Sequence, residues 1–361
     1  MILKLQLYKK SILVLFLILF SAIINQFYGN KGAFPIDSFL HFDTSYRILN
    51  GDIPFSDFWM VSGPAVNYIQ VPFFYFFGVN WTSYVLHASL MNVIITIATF
   101  FVLKNFKLNI NYCFLYSFLF SILAYPSSGT PFVDHHSTFF SLLGIYSLLL
   151  AINDNKKIYW IIMPIFFGLS FLSKQVPAAY IILSVFFILV FFNLKNKTLK
   201  YFNYILVSSL IFIIFVLAFG YFQKINLSSF IDQYILYPQT IGSDRYENFN
   251  FTFRGVIAHF KFIYLAFIPM IYVFILKFKK QKKIINNEIF ILLILFSFTF
   301  SMILHQLMTK NQTFIFFLIP LLTAFSHISL KTIETKLNKP IYLLIIIICV
   351  FSVFKYHLRF N

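Results

Sequence analysis

The chain has 361 residues, of which 60% are hydrophobic, 22% aromatic and only 11% charged. A soluble globular domain carries about 25% charged residues, so this composition excludes one. The formal net charge of +17 comes from lysines in short connections between apolar runs, a positive-inside pattern and not a nucleic-acid-binding surface.

Apolar runs long enough to cross about 30 Å of hydrocarbon recur along the whole chain. They predict an all-α, polytopic membrane protein with about eleven spans, near 10–28, 80–103, 110–126, 136–152, 158–173, 176–193, 201–222, 259–276, 287–304, 313–330 and 340–356. The first run follows Lys4, Lys9 and Lys10, as in a signal peptide. No small-residue cleavage site follows it, so it is expected to be a retained helix. Cys113 and Cys349 both fall inside apolar runs, so no disulfide framework is expected. The stretch 63–78 is apolar but interrupted by Pro64 and Pro72, and reads as a partly embedded segment. No long soluble domain or repeat stands out, and residues 1–361 read as one domain.

With the N-terminus in the cytoplasm, the segments assigned inside (4–10, 104–107, 153–157, 193–200, 277–288 and 331–339) hold 18 lysines, no arginine and three acids. The remainder holds six lysines, all four arginines and eight acids. Carboxylates and guanidinium groups therefore share the extracytoplasmic face, and chemistry is expected there.

The first outer loop, about 29–79, carries four of the eleven acids: Asp37, Asp43, Asp52 and Asp57. From Asp37 to Leu49 the apolar residues alternate with polar ones, as in a helix lying at the membrane interface, and Gly51 stands where such a helix would end. Asp37 has two readings here, an N-cap carboxylate and an active-site acid. Asp57 reads as a turn residue or a ligand-binding one; Asp43 and Asp52 read as solvated or turn residues.

The stretch IDSFLHFDTSYRILNGDIPFSDFWMVSGPAVNYI, residues 36–69, resembles the first loop of the GT-C glycosyltransferases. The likeness is to the polyprenyl-phosphate-sugar branch, which includes protein O-mannosyltransferases and the lipid A aminoarabinose transferase. The shared elements are Asp37 after the first span, Gly51, Pro54-Phe55, Asp57-Phe58, Gly63-Pro64 and Tyr68. Many relatives have an acid directly after the first Asp, where this chain has Ser38. The resemblance is clearest over residues 10–195. It implies a GT-C-like fold and transfer of a sugar, with inversion, from a polyprenyl-phosphate donor to a hydroxyl of a glycan, lipid or protein acceptor. It also implies an extracytoplasmic active site in a bacterial plasma membrane, with Asp37 as the base.

The later outer loops supply further candidates. In YPSSGTPFVDHHSTFF (125–140), Asp134, His135 and His136 raise the idea of a metal. Adjacent histidines chelate poorly without other ligands, so a cap and hydrogen-bonding cluster is the expectation, with no metal. The resemblance places an acid in this loop near the reaction centre, which keeps Asp134 as a substrate-binding candidate. Lys174 and Gln175 lie between two short apolar runs, where a lysine is costly unless it snorkels or reaches a wet cavity. Relatives often carry such a pair, which implies a phosphate contact. In the loop 223–258, Arg245 and Arg254 suit bidentate phosphate binding or simple surface ion pairs. His305 and Lys310, in HQLMTKNQ, fit a cavity wall or ordinary loop polarity.

No nucleotide-binding glycine pattern and no Asp-x-Asp pattern occurs, and no cofactor is expected. Two rivals stand beside the transferase. A transporter would place broken helices and ionisable residues near the bilayer midplane, whereas the acids here gather at one face. A lipid-linked polysaccharide polymerase or ligase would share the face and the carrier, but is expected to need more than four arginines.

Overall fold

The structure is a computed structural model that describes residues 2–32, 35–125, 129–247, 252–281, 287–309, 315–333 and 338–359. It is helical throughout, with one isolated β-bridge, Pro54 to Phe58, among the described residues. The helices are α1 (Ile2–Gly29), α2 (Pro35–Leu49), α3 (Pro64–Phe77), α4 (Trp81–Asn105), α5 (Ile110–Leu123), α6 (Val133–Asp154), α7 (Lys157–Ser173), α8 (Gln175–Asn196) and α9 (Lys200–Phe222). Two short helices follow, α10 (Leu227–Phe230) and α11 (Tyr237–Glu247), joined by a π-helical turn, Ile231–Leu236. A second such turn, Arg254–Ala258, precedes α12 (Lys261–Gln281), α13 (Asn287–Met308), α14 (Leu318–Leu330) and α15 (Asn338–Arg359).

Among the described residues, eight helices are long and apolar enough to cross a membrane, and α5, α7 and α14 are shorter apolar helices. Together they account for each of the eleven expected runs. The segment expected to be broken forms α3, a helix that starts at Pro64 and tolerates Pro72 inside it. The stretch 223–258, expected to be a loop, contains α10, α11 and the two π-helical turns.

Helix α6 is the hub: 94% of its apolar window is buried, against 6% for α9. The reason lies in its sequence. Between lipid-soluble helices apolar contact gives little net drive, so small and polar side chains make the interface. Along α6, Ser137 and Ser141 meet Ser170 of α7 at 3.1 and 2.7 Å, and the Ser170 hydroxyl donates to the Ser137 carbonyl at 2.6 Å. Asn92 of α4 donates to the carbonyls of Ser21 and Ser121, at 3.2 and 3.1 Å, and so joins α1 to α5. Such bonds average about 0.6 kcal/mol each in membranes; their number and direction set the register. Helix α9 has apolar side chains all round and leaves most of them exposed, as a helix at a lipid boundary does.

The lysine-rich connections meet at one end of the bundle. There Asn105 donates to Asp154 at 2.8 Å, Tyr201 to Asn155 at 2.8 Å, and Asn287 to the Ile152 carbonyl at 3.0 Å. Lys277 pairs with Glu288 at 2.5 Å.

Candidate active site

At the opposite end, α2 packs on α3 and meets Tyr84 of α4 and the residues leading into α6. Tyr84 donates to the carbonyl oxygens of Ser38 (2.9 Å) and Pro131 (3.2 Å). Ser38 itself is fully buried, its hydroxyl 3.3 Å from that of Thr130. A carboxylate buried at position 38 would be costly to desolvate, whereas serine finds a hydroxyl neighbour there. Asp37 lies two residues inside the helix, in its first turn, so the N-cap reading, one of its two, does not hold. Its neighbour one helical turn on, His41, is buried.

The chain then runs to Gly63, whose backbone N–H donates to the Ser173 carbonyl at 3.1 Å. A Cβ at Gly63 would sit 1.8 Å from the Leu172 carbonyl oxygen, so only glycine lets these two backbones meet. This contact lies beside Lys174, an extended residue (φ −157°, ψ 137°) between α7 and α8. Three other bonds hold the junction. The Ser137 hydroxyl donates to the Lys174 carbonyl at 3.2 Å, and the Gln175 amide donates to the carbonyls of Val61 (3.2 Å) and Tyr234. Gln233, from the first π-helical turn, accepts from Met60 N (2.9 Å) and donates to Phe55 O (2.8 Å).

These elements enclose a cavity of about 320 Å³, lined by Asp37, His41, Asp134, Lys174, Gln175, Arg245 and His305 together with Val61, Phe132 and Met308. Its volume is at the lower end of the range for small-ligand pockets. The Asp134 carboxylate is fully buried and accepts from Lys174 Nζ at 2.6 Å and from His305 Nε2 at 2.8 Å. This corrects the expectation of a capping residue, because α6 begins at Val133 with no side-chain cap bond. His305, expected in a loop, occupies the last turn of α13, which puts its ring within reach of α6. Burial raises the carboxyl of Asp37; the Lys174 charge opposes this and the Asp134 charge adds to it. Arg245 lines the cavity from α11, is exposed, and pairs with no carboxylate among the described residues.

Six of the nine residues expected from sequence thus converge: Asp37, Asp134, Lys174, Gln175, Arg245 and His305. Two are elsewhere. Asp57 accepts from Ile53 N at 2.7 Å and closes a turn, and Arg254 is exposed on the second π-helical turn. Lys310 lies outside the described residues. The histidine pair of the second loop faces into the bundle: His136 Nε2 meets His87 Nε2 at 3.0 Å, and His135 stacks on Tyr125 at 4.9 Å. His41 is the cavity residue that the sequence reading missed. Its spacing of four from Asp37, which puts both on one helix face, was the available signal.

Residues 61–221 match the family model described as dolichyl-phosphate-mannose-protein mannosyltransferase. No curated protein matches the chain. The matched stretch covers Asp134, Lys174 and Gln175 and leaves out Asp37, Arg245 and His305. The match supports a membrane glycosyltransferase of the GT-C superfamily.

Proposed function

We propose that the protein transfers a sugar from a polyprenyl-phosphate donor to an acceptor hydroxyl on the extracytoplasmic face, with inversion at the anomeric carbon. The observation that carries this reading is the single cavity in which a partly buried carboxylate, Asp37, faces two cations, Lys174 and Arg245. Asp37 takes the proton of the acceptor hydroxyl as its oxygen bonds to the anomeric carbon, and the bond from that carbon to the phosphate oxygen breaks. The leaving phosphate gains charge in that step, and preplaced cations stabilise it. Lys174 already neutralises Asp134, whereas Arg245 pairs with no carboxylate among the described residues, which makes Arg245 the stronger phosphate ligand of the two. An apolar groove of about 470 Å³ between α3, α7 and α9, lined by Tyr68, Leu172 and Phe219 among others, suits the polyprenyl chain. The family match, named for a lipid-phosphate sugar donor, agrees with this choice of donor.

The test is transfer of label from polyprenyl-phosphate mannose, glucose, galactose or aminoarabinose in membranes, followed by the same assay with Asp37→Asn. General-base catalysis is typically worth about 10²–10⁴ in rate. The expected result is a loss in that range with normal membrane expression. A purified Asp37→Asn protein that transfers within about threefold of the parent, far less than that range, sinks the assignment.

A further inference from the structure

We propose that His41 reads a hydroxyl group of the transferred sugar through its Nε2 atom. This inference rests on the transferase reading given above and adds to it the residue that recognises the donor's sugar.

The geometry comes first. His41 is 3% exposed and lines the cavity. Its ring packs edge-on to Phe132, with centroids 6.2 Å apart, and Asn67 lies beside it. Nδ1 is shut off from water and makes no hydrogen bond of normal geometry among the described residues, while the Asn67 side chain acts on the ring as a hydrogen-bonding neighbour. That leaves Nε2 as the ring nitrogen able to open onto the cavity. A ligand in the cavity can therefore meet the ring only through Nε2, and a buried ring nitrogen that faces a cavity gains from a partner there.

The chemistry then selects the ligand. Burial, with help from the Lys174 charge, lowers the imidazole to about 4, against an opposing pull from Asp134. The ring is therefore neutral near pH 7. Through Nε2 alone it presents one donor or one acceptor according to its tautomer; a hydroxyl complements either, whereas a phosphate or carboxylate oxygen can only accept. Asp37 and His41 lie on one face of α2, with Cβ atoms at this spacing about 5–6 Å apart. A sugar ring spans that interval. The anomeric carbon can then lie toward Asp37 and the cations while a ring hydroxyl lies at His41. Leu40, Val61 and Phe132, which line the cavity together with the histidine, are apolar.

The experiment compares thermal shifts of the purified full-length protein with polyprenyl phosphate and with the polyprenyl-phosphate sugar that the parent transfers. His41→Phe keeps the ring packing and removes both nitrogens. It should keep the shift produced by sugar-free polyprenyl phosphate and lose the extra shift that the sugar adds. Its kcat/KM for the donor should fall by about tenfold, the scale of one hydrogen bond. His41→Gln, whose amide reaches the Nε2 position, should retain most of the sugar-dependent shift, and His41→Asn should not. The inference is overturned if His41→Phe matches the parent with both ligands, if it loses sugar-free polyprenyl phosphate equally, or if His41→Gln behaves like His41→Phe. A histidine that served the acceptor instead would leave donor binding unchanged, which is the first of those outcomes. If the parent transfers no sugar from any donor, the transferase reading itself fails; if the parent transfers and the variants do not differ, only the histidine assignment fails.

Discussion

Lys174 answers to two carboxylates at once. It bonds Asp134 at 2.6 Å, and its charge lowers a carboxyl, that of Asp37, which burial raises. Replacing it therefore has a signed consequence. With Lys174→Met the opposing charge is gone, so the folded-state titration of Asp37 moves further up. A base must be ionised, so transfer is present above that value and is lost as pH falls through it. The acid limb of the pH–rate profile should thus move to higher pH than in the parent, a shift that a purely structural lysine would not produce. An unmoved limb would separate Lys174 from Asp37. The same variant strands a fully buried carboxylate with one partner, His305, and breaking such a pair typically costs about 3–5 kcal/mol. Thermal unfolding in detergent should show that loss, and Lys174→Met with Asp134→Asn should recover part of it. None of this pairing is legible along the chain. Asp134, Lys174 and His305 each stand out as polar residues near apolar runs, but 40 and 171 positions separate the bonded partners.

At the scale of elements, the site depends on where helices start and stop. A shift of one turn at α6 or α13 would move Asp134 or His305 out of the cavity. The sequence marks these ends poorly, because apolar runs blur into the polar first and last turns. The outer short helices leave no mark in the sequence for a related reason: α11, with Pro238, Gly242, Asp244 and Arg245, has no apolar stripe to announce it. The glycines test the element contacts. Gly63→Ala would drive a Cβ onto the Leu172 carbonyl. Because backbone cannot swing aside as a side chain can, the Lys174 junction must move. Overpacking of this kind costs about 1–3 kcal/mol, and donor use should fall together with thermal stability. Gly220→Ala, where a new Cβ meets nothing within 4 Å, should be neutral or slightly stabilising in α9. Equal effects from both substitutions would show that the Gly63 contact does not hold the junction.

For the whole molecule, charge and packing sort into the same two ends. The lysine-rich connections cluster around Asp154 and Asn155, and Asp37 of the first loop shares the far end with Asp134, Lys174 and Arg245. The proposed topology, eleven spans with the N-terminus inside, would place Ser228 outside and Lys279 in the cytoplasm. Both side chains are exposed. In a protein with Cys113 and Cys349 replaced, an impermeant thiol reagent applied to intact cells should label Ser228→Cys and spare Lys279→Cys. Labelling of Lys279→Cys would overturn this orientation.

The amino-acid sequence by itself determined the membrane class, the positions of the apolar helices and the end at which acids gather. These are properties of solvation, and each is carried by a stretch of neighbouring residues: twenty apolar side chains favour hydrocarbon wherever their partners lie. The sequence also marked Asp37 through a local pattern around Gly51 and Gly63. Only the tertiary structure decided that Asp134 joins Lys174 to His305, that Gln175 braces a junction with its amide, and that Asp57 and Arg254 stand apart from the cavity. It alone brought His41 beside the others. Those relations depend on distances between helices, which are set by small residues and buried hydrogen bonds such as those of Ser170 and Asn92. A bond of that kind leaves no period in the sequence, because its two ends are chosen by packing.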